Sequence, residues 1–289
     1  MRFLLYPAIM QPVFLIWNVR GLNDRSRRDI VKSLVLSIKP AVVCLQETKL
    51  GSISAFDILS ILGAGFSDFV YSPAHGTRGG VLVACRDGVY SVIESLVHDF
   101  TVSVKLQEEG GAQWWFTGVY GPHHDPLKLS FLQELREVRE TCAGPWVIAG
   151  DFNQIHSSED KNNTNINRAM LGRFRRLIHD LELKEIPLVG RKFTWSNERN
   201  VPTLVKLDHV FCTTSWEEIH PDCILHSNSS ELSDHCPLAL HLNENVKGKR
   251  RFHFESFWTR LEGFLEVVEC SWSQPVGAVC PLQIFAAKL

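Results

Sequence analysis

Short apolar runs bounded by Gly, Pro, Asn or Asp recur along most of the chain. Runs of this kind that are rich in β-branched and aromatic residues are typical of buried β-strands. They predict strands over residues 14–19, 42–46, 81–85, 114–120, 146–149, 207–211 and 238–242. The chain is therefore predicted to be rich in strands up to about residue 243.

Apolar side chains spaced three and four residues apart predict three amphipathic helices among these strands. The spacing runs from Ile30 to Ile38, from Phe131 to Val138 and from Leu171 to Leu181. Strands outnumber helices and follow one another directly between residues 80 and 120, which disfavours a regular alternation of strand and helix. We therefore expect a layered α/β sandwich, in which two sheets pack face to face and helices cover their outer surfaces.

The overall composition is that of a folded, soluble protein. Of the 289 residues, 45% are hydrophobic and 21% are charged, which supports a large core and excludes a disordered chain. No apolar run reaches the length of about eighteen residues that a membrane span requires. Pro7 and Pro12 interrupt the apolar start of the chain, and no small-residue cleavage site follows. We predict an intracellular protein, nuclear or cytoplasmic, that is not secreted.

Neither the net charge nor the cysteines predict a particular ligand. The formal net charge is −2, so any contact with nucleic-acid phosphates must come from local basic clusters. The eight cysteines form no CxxC pair, and they stand at positions 44, 85, 142, 212, 223, 236, 270 and 280. We expect reduced core residues and no zinc site.

The periodic pattern stops near Asn243, which we predict as a domain boundary. Residues 1–12 are then an N-terminal extension, residues 13–243 the main domain, and residues 244–289 a linker-like C-terminal segment. The run KGKRR at 247–251 is typical of a basic linker, of a nuclear localisation signal or of a nucleic-acid patch.

Polar residues stand where the predicted strands begin or end. They are Asn18, Gln46, Glu47, Tyr120, Asp151, Asn153, Asp208 and the run from Ser233 to His235. Because strand ends converge on one rim of a sheet, we expect these side chains to line one open cleft on rigid supports.

This set offers carboxylate and amide oxygens, a tyrosine and a histidine. Such oxygens are hard ligands that suit Mg²⁺ or Mn²⁺, and these ions also contact phosphate groups. Phosphodiester hydrolysis requires a metal to neutralise phosphoryl oxygens, a base to activate water and donors for the developing negative charge. The set supplies all three, so a phosphodiester is the expected substrate.

The motifs that contain these residues occur in a characteristic order. They are WNVRGLN at 17–23, QETK at 46–49, VYGP at 119–122, GDFN at 150–153, KLDHVF at 206–211 and SDH at 233–235. The series resembles that of the endonuclease/exonuclease/phosphatase superfamily. The resemblance implies a four-layered α/β sandwich of the DNase I type. Each of these residues, taken singly, also has a purely structural interpretation: Glu47 as a solvated strand end, Asp151 as a turn residue and His235 as the donor or acceptor of a structural hydrogen bond. The occurrence of all six motifs in order favours a functional site instead.

The sequence is similar in particular to the endonuclease region of plant non-LTR (LINE-type) retrotransposons. FTWSN at 193–197 and FHFESFWTRLEGFLEVV at 252–268 carry this second resemblance. In such elements a reverse transcriptase follows the endonuclease, but this chain contains no Tyr-x-Asp-Asp run. We therefore expect a truncated or solitary remnant of such an element.

The resemblance implies metal and substrate ligands by position. Glu47 would be the principal ligand of Mg²⁺, or of Mn²⁺ as an alternative, with Asp234 near the metal or its water. Asn18 would contribute to both the metal and the phosphate environment. Trp195 and Asn197 lie in a loop that touches substrate in family members, although a tryptophan is also a usual core residue.

The resemblance also implies catalytic residues. Asp151 would activate or orient the attacking water, and Asn153 would bind the scissile phosphate. His235, oriented by Asp208, would contact the phosphate and stabilise the transition state, and Tyr120 would complete the phosphate environment. The base is left open between Asp151 and His235, because an Asp–His pair can exchange these roles as its pKa values shift.

Several basic residues remain to be explained. Arg20 stands where some superfamily members carry an acidic residue, which puts a second metal position in doubt. Lys206 and His209 flank Asp208, where other residues are common. The arginines at 25, 27, 28, 173, 175 and 176 suit either DNA phosphate contacts or solvated helix faces.

Three hypotheses follow for function. The first is a DNA-nicking endonuclease that leaves a 3′-hydroxyl and a 5′-phosphate, as the resemblance implies. The second keeps the fold but acts on an abasic site, RNA or a phosphorylated small molecule. The third is an inactive remnant that at most binds nucleic acid.

Overall fold

The computed structural model of the chain describes residues 12–76, 79–108, 111–230, 232–243, 259 and 262–273. The chain divides into two units, residues 1–247 and residues 248–289. Residues 1–11 of the predicted N-terminal extension, the basic run at 247–251 and Cys280 lie outside the described residues.

The first unit contains strands and helices in the following order along the chain. The strands are β1 (Val13–Asn18), β2 (Val42–Gln46), β3 (Asp68–Ser72), β4 (Val81–Cys85), β5 (Tyr90–Val97), β6 (Thr101–Glu108), β7 (Gln113–Tyr120), β8 (Trp146–Asp151), β9 (Leu183–Glu185), β10 (Leu188–Val189), β11 (Trp195–Ser196), β12 (Leu204–Val205), β13 (Asp208–Thr213), β14 (Ile224–Ser227) and β15 (Leu238–His241). The helices are α1 (Arg25–Ile38), α2 (Ala55–Ile61), α3 (Asp125–Thr141), α4 (Arg168–Asp180) and α5 (Thr214–Ile219).

Two mixed sheets contain most of these strands. The first sheet has the order β10-β14-β15-β1-β2-β4-β3, and the second has the order β5-β6-β7-β8-β13-β9. The strands β1 and β2 run parallel and are connected through α1, and β7 and β8 run parallel and are connected through α3. The strands that flank each parallel pair are antiparallel to it. Each sheet is therefore built around one strand-helix-strand unit.

The two sheets pack face to face through buried aromatic and aliphatic side chains. Phe14 of β1 contacts Trp114 and Phe116 of β7, with ring centroids 5.6 and 5.5 Å away. Aromatic pairs at such distances contribute about 0.5–1.5 kcal/mol beyond the burial of their area. At Gly118 of β7 an added Cβ would lie 2.5 Å from Sγ of Cys44 on β2, so a side chain there would force the sheets apart.

Helices cover the outer face of each sheet. Val35 of α1 and Ile58 of α2 are buried in one cluster with Trp17 of β1. Phe131 of α3 and Phe174 of α4 are buried in another cluster against the second sheet. Each large apolar side chain that is buried contributes about 1.5–3 kcal/mol. The four layers are helix, sheet, sheet and helix, which confirms the predicted α/β sandwich.

The three helices predicted from periodicity correspond to α1, α3 and α4. Asp24 caps α1 and Asn167 caps α4, each by accepting a backbone N–H of the first turn. Such a cap contributes about 1 kcal/mol. The helix α2 was not predicted, because its seven residues are too few to show a periodic pattern, and it begins instead at a capping box of Ser54 and Asp57.

All seven predicted strands are present, and the strands that periodicity missed include β3 and β5, which lie at sheet edges. Edge strands are covered less completely than central strands. In β5, for example, Ser91 and Ile93 are exposed while Tyr90 is buried. A half-exposed strand has no continuous apolar run, so its sequence resembles a loop.

The cysteines and the C-terminal segment depart from the sequence predictions in two respects. The buried cysteines are 44, 85, 142, 212 and 236, whereas Cys223 is half-buried. Cys270 is exposed, so its prediction as a core residue is wrong. It lies on α6 (Phe264–Ser273), a helix in the segment predicted to be linker-like, and no residue of this helix is buried.

Among the described residues, no helix has both the length and the hydropathy needed to cross a bilayer.

His220 gives the fold a testable sensitivity to acid. Its ring packs against Trp114 and Trp216 with centroids 5.4 and 4.7 Å away, and burial lowers the pKa of His220 from 6.5 to about 4. As the pH falls, the unfolded chain takes up this proton before the folded chain does. The free energy of unfolding should therefore fall between about pH 6.5 and pH 4, with a slope approaching ~1.4 kcal/mol per pH unit from this group.

We expect His220→Phe to flatten that part of the pH profile. The measurement is urea unfolding of both proteins at several pH values between 7 and 4. Parallel profiles for the wild type and the variant would show that His220 does not carry the effect.

Candidate active site

The polar residues predicted at strand ends meet at one edge of the two sheets. Asn18 and Gln46 are paired at the ends of β1 and β2. Tyr120 and Asp151 are paired at the ends of β7 and β8, and Asp208 begins β13 opposite Asp151. A hydrogen bond of 2.8 Å from Asn18 Nδ2 to Asp151 Oδ2 joins the two sheets here. Side chains from both sheets therefore line a common cleft.

Asp151 is fully buried at the centre of this arrangement. Its Oδ2 accepts hydrogen bonds from the side chains of Asn18 and Asn153, and its Oδ1 accepts the backbone N–H of Asn153 at 3.0 Å. Burial raises the pKa of Asp151 against the opposing effect of His235, and the nearby Asp208 raises it further. A carboxylate with a raised pKa is suited to accept a proton near neutral pH.

His235 is buried between two carboxylates. Its Nδ1 lies 2.8 Å from Oδ2 of Asp208, and its Nε2 lies 3.7 Å from Oδ2 of Asp151. Burial alone would lower the pKa of His235, but Asp208 and Asp151 raise it above the ordinary value. One ligand atom from each of the three residues lies within 4.8 Å of the others. The cleft thus pairs an imidazole that retains its proton with a carboxylate that can accept one.

Two further side chains, Thr194 and Trp17, hold this cluster in place. Thr194 Oγ1 accepts the backbone N–H groups of Leu207 and Asp208 at 3.0 and 3.1 Å. Trp17 Nε1 donates to the carbonyl of His235 at 3.0 Å. Thr194 was missed in the sequence analysis, and its position inside FTWSN was the available signal.

Glu47 and Tyr120 face each other on one side of the cleft. Glu47 Oε1 lies 3.1 Å from Lys49 Nζ, and the carboxylate also shares a hydrogen bond with the Tyr120 hydroxyl. Burial raises the pKa of Tyr120, and the charges of Glu47 and Asp151 add to the effect, so the hydroxyl keeps its proton. Gly79, also missed in the sequence analysis, packs against both residues. An added Cβ there would lie 2.7 Å from Glu47 Cγ and 2.8 Å from Tyr120 Cε1.

Asp234 has one paired and one unpaired carboxylate oxygen. Its Oδ2 accepts from Arg20 Nη1 at 2.9 Å and from Trp195 Nε1 at 2.7 Å. Its Oδ1 is buried and has no hydrogen-bond partner within the described structure. A buried polar atom without a partner is costly, so this oxygen is a natural position for a bound cation.

The FTWSN loop brings one of its two predicted substrate residues to the cleft. Trp195 is half-buried, donates to Asp234 and pairs with the backbone of His235. Asn197 Oδ1 instead accepts the backbone N–H of Thr203 at 2.9 Å and so closes its own loop. The structure therefore places Trp195 with the other site residues, whereas the described contacts of Asn197 are local.

Two of the arginines considered for phosphate contact are engaged inside the fold. Arg28 donates to the carbonyl of Leu22 and pairs with Asp57 at 2.9 Å. Arg27 donates to backbone carbonyls of two separate segments, at Val19, Arg20, Gly21 and Leu232. These side chains fix the loop after β1. The arginines on α4, at 173, 175 and 176, are exposed.

Lys206 and His209, on either side of Asp208, both contact the carboxylate of Glu185. Glu185 Oε1 accepts from Lys206 Nζ at 2.6 Å and lies 2.7 Å from His209 Nδ1. Burial would raise the pKa of Glu185, but the charges and hydrogen bonds of His209, His156 and Lys206 hold it well below its ordinary value. His209 Nε2 lies 3.2 Å from the carbonyl of Gln154, which fixes the chain just after the GDFN motif.

A buried Asp-Asp-His cluster beside oxygen ligands, at the rim of two packed sheets, is the kind of site that phosphodiesterases build. The sequence matches the endonuclease/exonuclease/phosphatase family over residues 15–235, which is most of the chain. The chain therefore belongs to this family, whose members are phosphodiesterases and nucleases that typically depend on a divalent metal. A search of curated proteins found no match.

Solved structures with this fold include several that act on DNA. The endonuclease domain of TRAS1, a telomere-specific non-LTR retrotransposon, has a TM-score of 0.60 and 17% identity over 80% of this chain and 98% of that one. The AP endonuclease LMAP from Leishmania major has a TM-score of 0.64 and 18% identity over 81% of this chain and 88% of its own.

A third structure with this fold is the 3′ phosphatase NExo from Neisseria, bound to a product DNA hairpin. Its TM-score is 0.65 with 18% identity, over 81% of this chain and all (100%) of that one. At this level of identity the likeness shows the fold alone. The fold is DNase I-like, with two mixed sheets flanked by helices.

The residues of the cleft fit the divalent metal that the family implies. Glu47 shares a hydrogen bond with the Tyr120 hydroxyl, and Asp151 is the register partner of Tyr120 across β7 and β8. Asn18 supplies an amide oxygen, and Asp234 supplies the unpaired Oδ1. Carboxylate and amide oxygens are the donors that Mg²⁺ and Mn²⁺ prefer.

The contact at Gly79 can be tested by a substitution. We expect Gly79→Ala to lower the free energy of unfolding by about 1–3 kcal/mol, because the new Cβ overlaps Glu47 and Tyr120. Gly172 on α4 provides the control, since an added Cβ there meets nothing within 4 Å.

Gly172→Ala should raise the free energy of unfolding by about 0.5–1 kcal/mol, because alanine favours a helix. Urea unfolding of the three proteins measures both effects. Stabilisation by both substitutions would show that Gly79 is not closely packed.

Proposed function

We propose that residues 13–243 form a metal-dependent phosphodiesterase domain that nicks DNA, of the kind carried by non-LTR retrotransposons. The observation that carries the proposal is the buried cluster of Asp151, Asp208 and His235 beside the carboxylate of Glu47. This cluster offers a proton acceptor, a proton donor and metal-binding oxygens at one edge of the two sheets, as phosphodiester hydrolysis requires. Family membership and the likeness in fold to the TRAS1 endonuclease domain support DNA as the substrate.

Glu47, Asp234 and Asn18 would hold the metal, which we propose is Mg²⁺, with Mn²⁺ as the alternative. When bound, the ion neutralises negative charge on the phosphoryl oxygens. The unpaired Oδ1 of Asp234 supports this assignment, since it leaves one oxygen ready to bind a cation. The remaining steps fall to side chains of the chain itself.

Asp151 accepts a proton from the attacking water in the proposed reaction. Asn18 and Asn153 fix its carboxylate through hydrogen bonds, so the oxygens keep one orientation. His235, held by Asp208, retains its proton and donates from Nε2 to the phosphate. We assign the base to Asp151 rather than His235, because the pKa of His235 is raised above its ordinary value and its proton is retained.

Asn153 and Tyr120 complete the proposed phosphate environment. The Tyr120 hydroxyl keeps its proton, and in the proposed complex it donates this proton to a phosphoryl oxygen in place of the Glu47 carboxylate. Trp195 contacts the nucleic acid from the FTWSN loop, and Asn197 supports this contact by closing the loop through the N–H of Thr203. Water attacks phosphorus in line with the leaving oxygen and gives one proton to Asp151. A new P–O bond forms, the bond to the 3′ oxygen breaks and this oxygen takes up a proton from solvent, which leaves a 3′-hydroxyl and a 5′-phosphate.

Nicking of supercoiled plasmid tests this proposal. We expect purified protein to relax the plasmid with Mg²⁺ and to leave it intact with EDTA. Asp151→Asn removes the proton acceptor and His235→Ala removes the donor, so each should slow nicking by about 10²–10⁴-fold. Arg136→Gln is the control, because Arg136 pairs with Asp180 on the outer helices at 3.0 Å and should leave the rate unchanged.

The same preparations distinguish the other two hypotheses. A folded wild type that leaves plasmid intact but cleaves abasic DNA, RNA or an inositol phosphate would transfer the proposal to that substrate. A folded wild type that binds DNA without metal and cleaves none of these would identify an inactive remnant. Equal rates for the wild type and both site variants would show that the activity belongs to a contaminant.

A further inference from the structure

Arg20 and Lys49 are two cations beside the cleft for which the proposed reaction has no role. Arg20 follows β1 and Lys49 follows β2, and their side chains are 49% and 48% exposed. Both line one cavity of about 330 Å³, together with Ser233 and Asp234. A volume of this size is at the lower end of the range for small-ligand sites.

Both cations stand on left-handed backbone. The φ angles are 51° at Arg20 and 56° at Lys49. Residues with a side chain adopt this conformation at a cost of about 1 kcal/mol or more, and such strain is concentrated at functional sites. The Arg20 N–H donates to Asn18 Oδ1 at 3.1 Å, and the Lys49 N–H donates to the carbonyl of Gly79 at 2.7 Å. The two positions are therefore fixed by the site itself.

The loops that carry the two cations are bonded to each other. The backbone N–H of Leu22 donates to the carbonyl of Thr48 at 2.8 Å. An added Cβ at Gly21 would lie 3.1 Å from Cδ of Lys49. The aliphatic part of the Lys49 side chain therefore packs against Gly21, the residue next to Arg20. The two positive side chains are consequently neighbours.

Each cation is only partly neutralised by its acidic partner. Arg20 Nη1 lies 2.9 Å from Asp234, and Lys49 Nζ lies 3.1 Å from Glu47. A guanidinium has five N–H donors and an ammonium has three, so both groups retain donors for a further anion. Arginine in particular matches the geometry of a phosphate group.

We propose that Arg20 and Lys49 form a second phosphate subsite, which binds a backbone phosphodiester next to the one that is cleaved. The identity of the ligand as nucleic acid rests on the proposed function. Arg20 stands two residues after Asn18, and Lys49 two residues after Glu47, so the subsite borders the cleft directly. It gives both exposed cations a role that the proposed reaction alone does not supply.

Metal-free DNA binding tests the subsite without relying on activity. Fluorescence anisotropy of a short labelled duplex is measured in EDTA at a series of salt concentrations. Each lost phosphate contact lowers the slope of log K against log[salt] by about 1. We therefore expect Arg20→Gln and Lys49→Gln each to lower the slope by about 1, and the double variant by about 2.

Two further variants separate charge from structure. Arg20→Lys keeps the charge and should retain the wild-type slope. Arg136→Gln removes an ion-paired arginine of similar exposure on α3, 37% against 49%, and should also leave the slope unchanged. An unchanged slope in Arg20→Gln, or a slope lowered equally in Arg136→Gln, would overturn the subsite.

The ligand class and the proposed function are tested on the same preparations. Inorganic phosphate is titrated as a competitor, and loss of phosphate binding in Arg20→Gln with an unchanged DNA slope would overturn a nucleic-acid ligand. A wild type that nicks plasmid while all slopes are equal overturns the subsite alone. A wild type with the expected slopes that nicks nothing overturns the proposed activity and keeps the subsite.

Discussion

The burial of Asp151, Asp208 and His235 at one edge of two sheets is the interaction on which the rest of the structure depends. Withdrawing charged groups from water costs several kcal/mol for each ion, and this cost is offset only where partners are close and well aligned. Asp208 lies 2.8 Å from His235, and Asn18 and Asn153 donate to Asp151. The sheets are the elements that hold these partners at such distances.

The alignment of the sheets is in turn set by the core between them. Phe14 packs against Trp114 and Phe116, and Gly118 allows β7 to lie against Cys44 of β2. A shift of one sheet along the other would separate Asn18 from Asp151, since these two residues belong to different sheets. Core packing far from the cleft therefore determines the proton affinities within it. Further polar contacts position these residues. Thr194 accepts the backbone N–H of Asp208. Glu185 holds His209, which in turn contacts the carbonyl of Gln154 in the chain after Asp151.

The sequence contained enough information to predict the sandwich, most of its central strands and three helices, because these elements bury continuous or periodic apolar surface. It did not reveal β5 or α2, because one is half-exposed and the other is short. For the site, the motifs predicted which strand ends meet, and the cluster of Asp151, Asp208 and His235 lies where they indicated. Partners chosen by tertiary packing escaped prediction.

Gly79 shows no chemistry of its own, and its importance arises from Glu47 and Tyr120, which the chain places beside it only after folding. Arg27 resembled a phosphate ligand in the sequence, but the fold directs its guanidinium to backbone carbonyls. Asn197 matched a motif, yet its side-chain oxygen accepts the backbone N–H of Thr203 and closes its own loop. Each of these contacts forms only when the chain folds, so the order of residues in the sequence does not reveal it.

The pairing of β1 with β15 has a consequence for biosynthesis. β1 leaves the ribosome long before its neighbour β15, which begins at Leu238, and Arg27 donates to the carbonyl of Leu232, 205 residues further along the chain. Contacts of such high sequence separation form slowly and late. A nascent chain therefore exposes one edge of β1 until residues 238–241 have been synthesised, and His235 cannot join Asp208 before that stage. The first sheet therefore stays incomplete during translation, and the Asp-Asp-His cluster forms only when β15 pairs with β1.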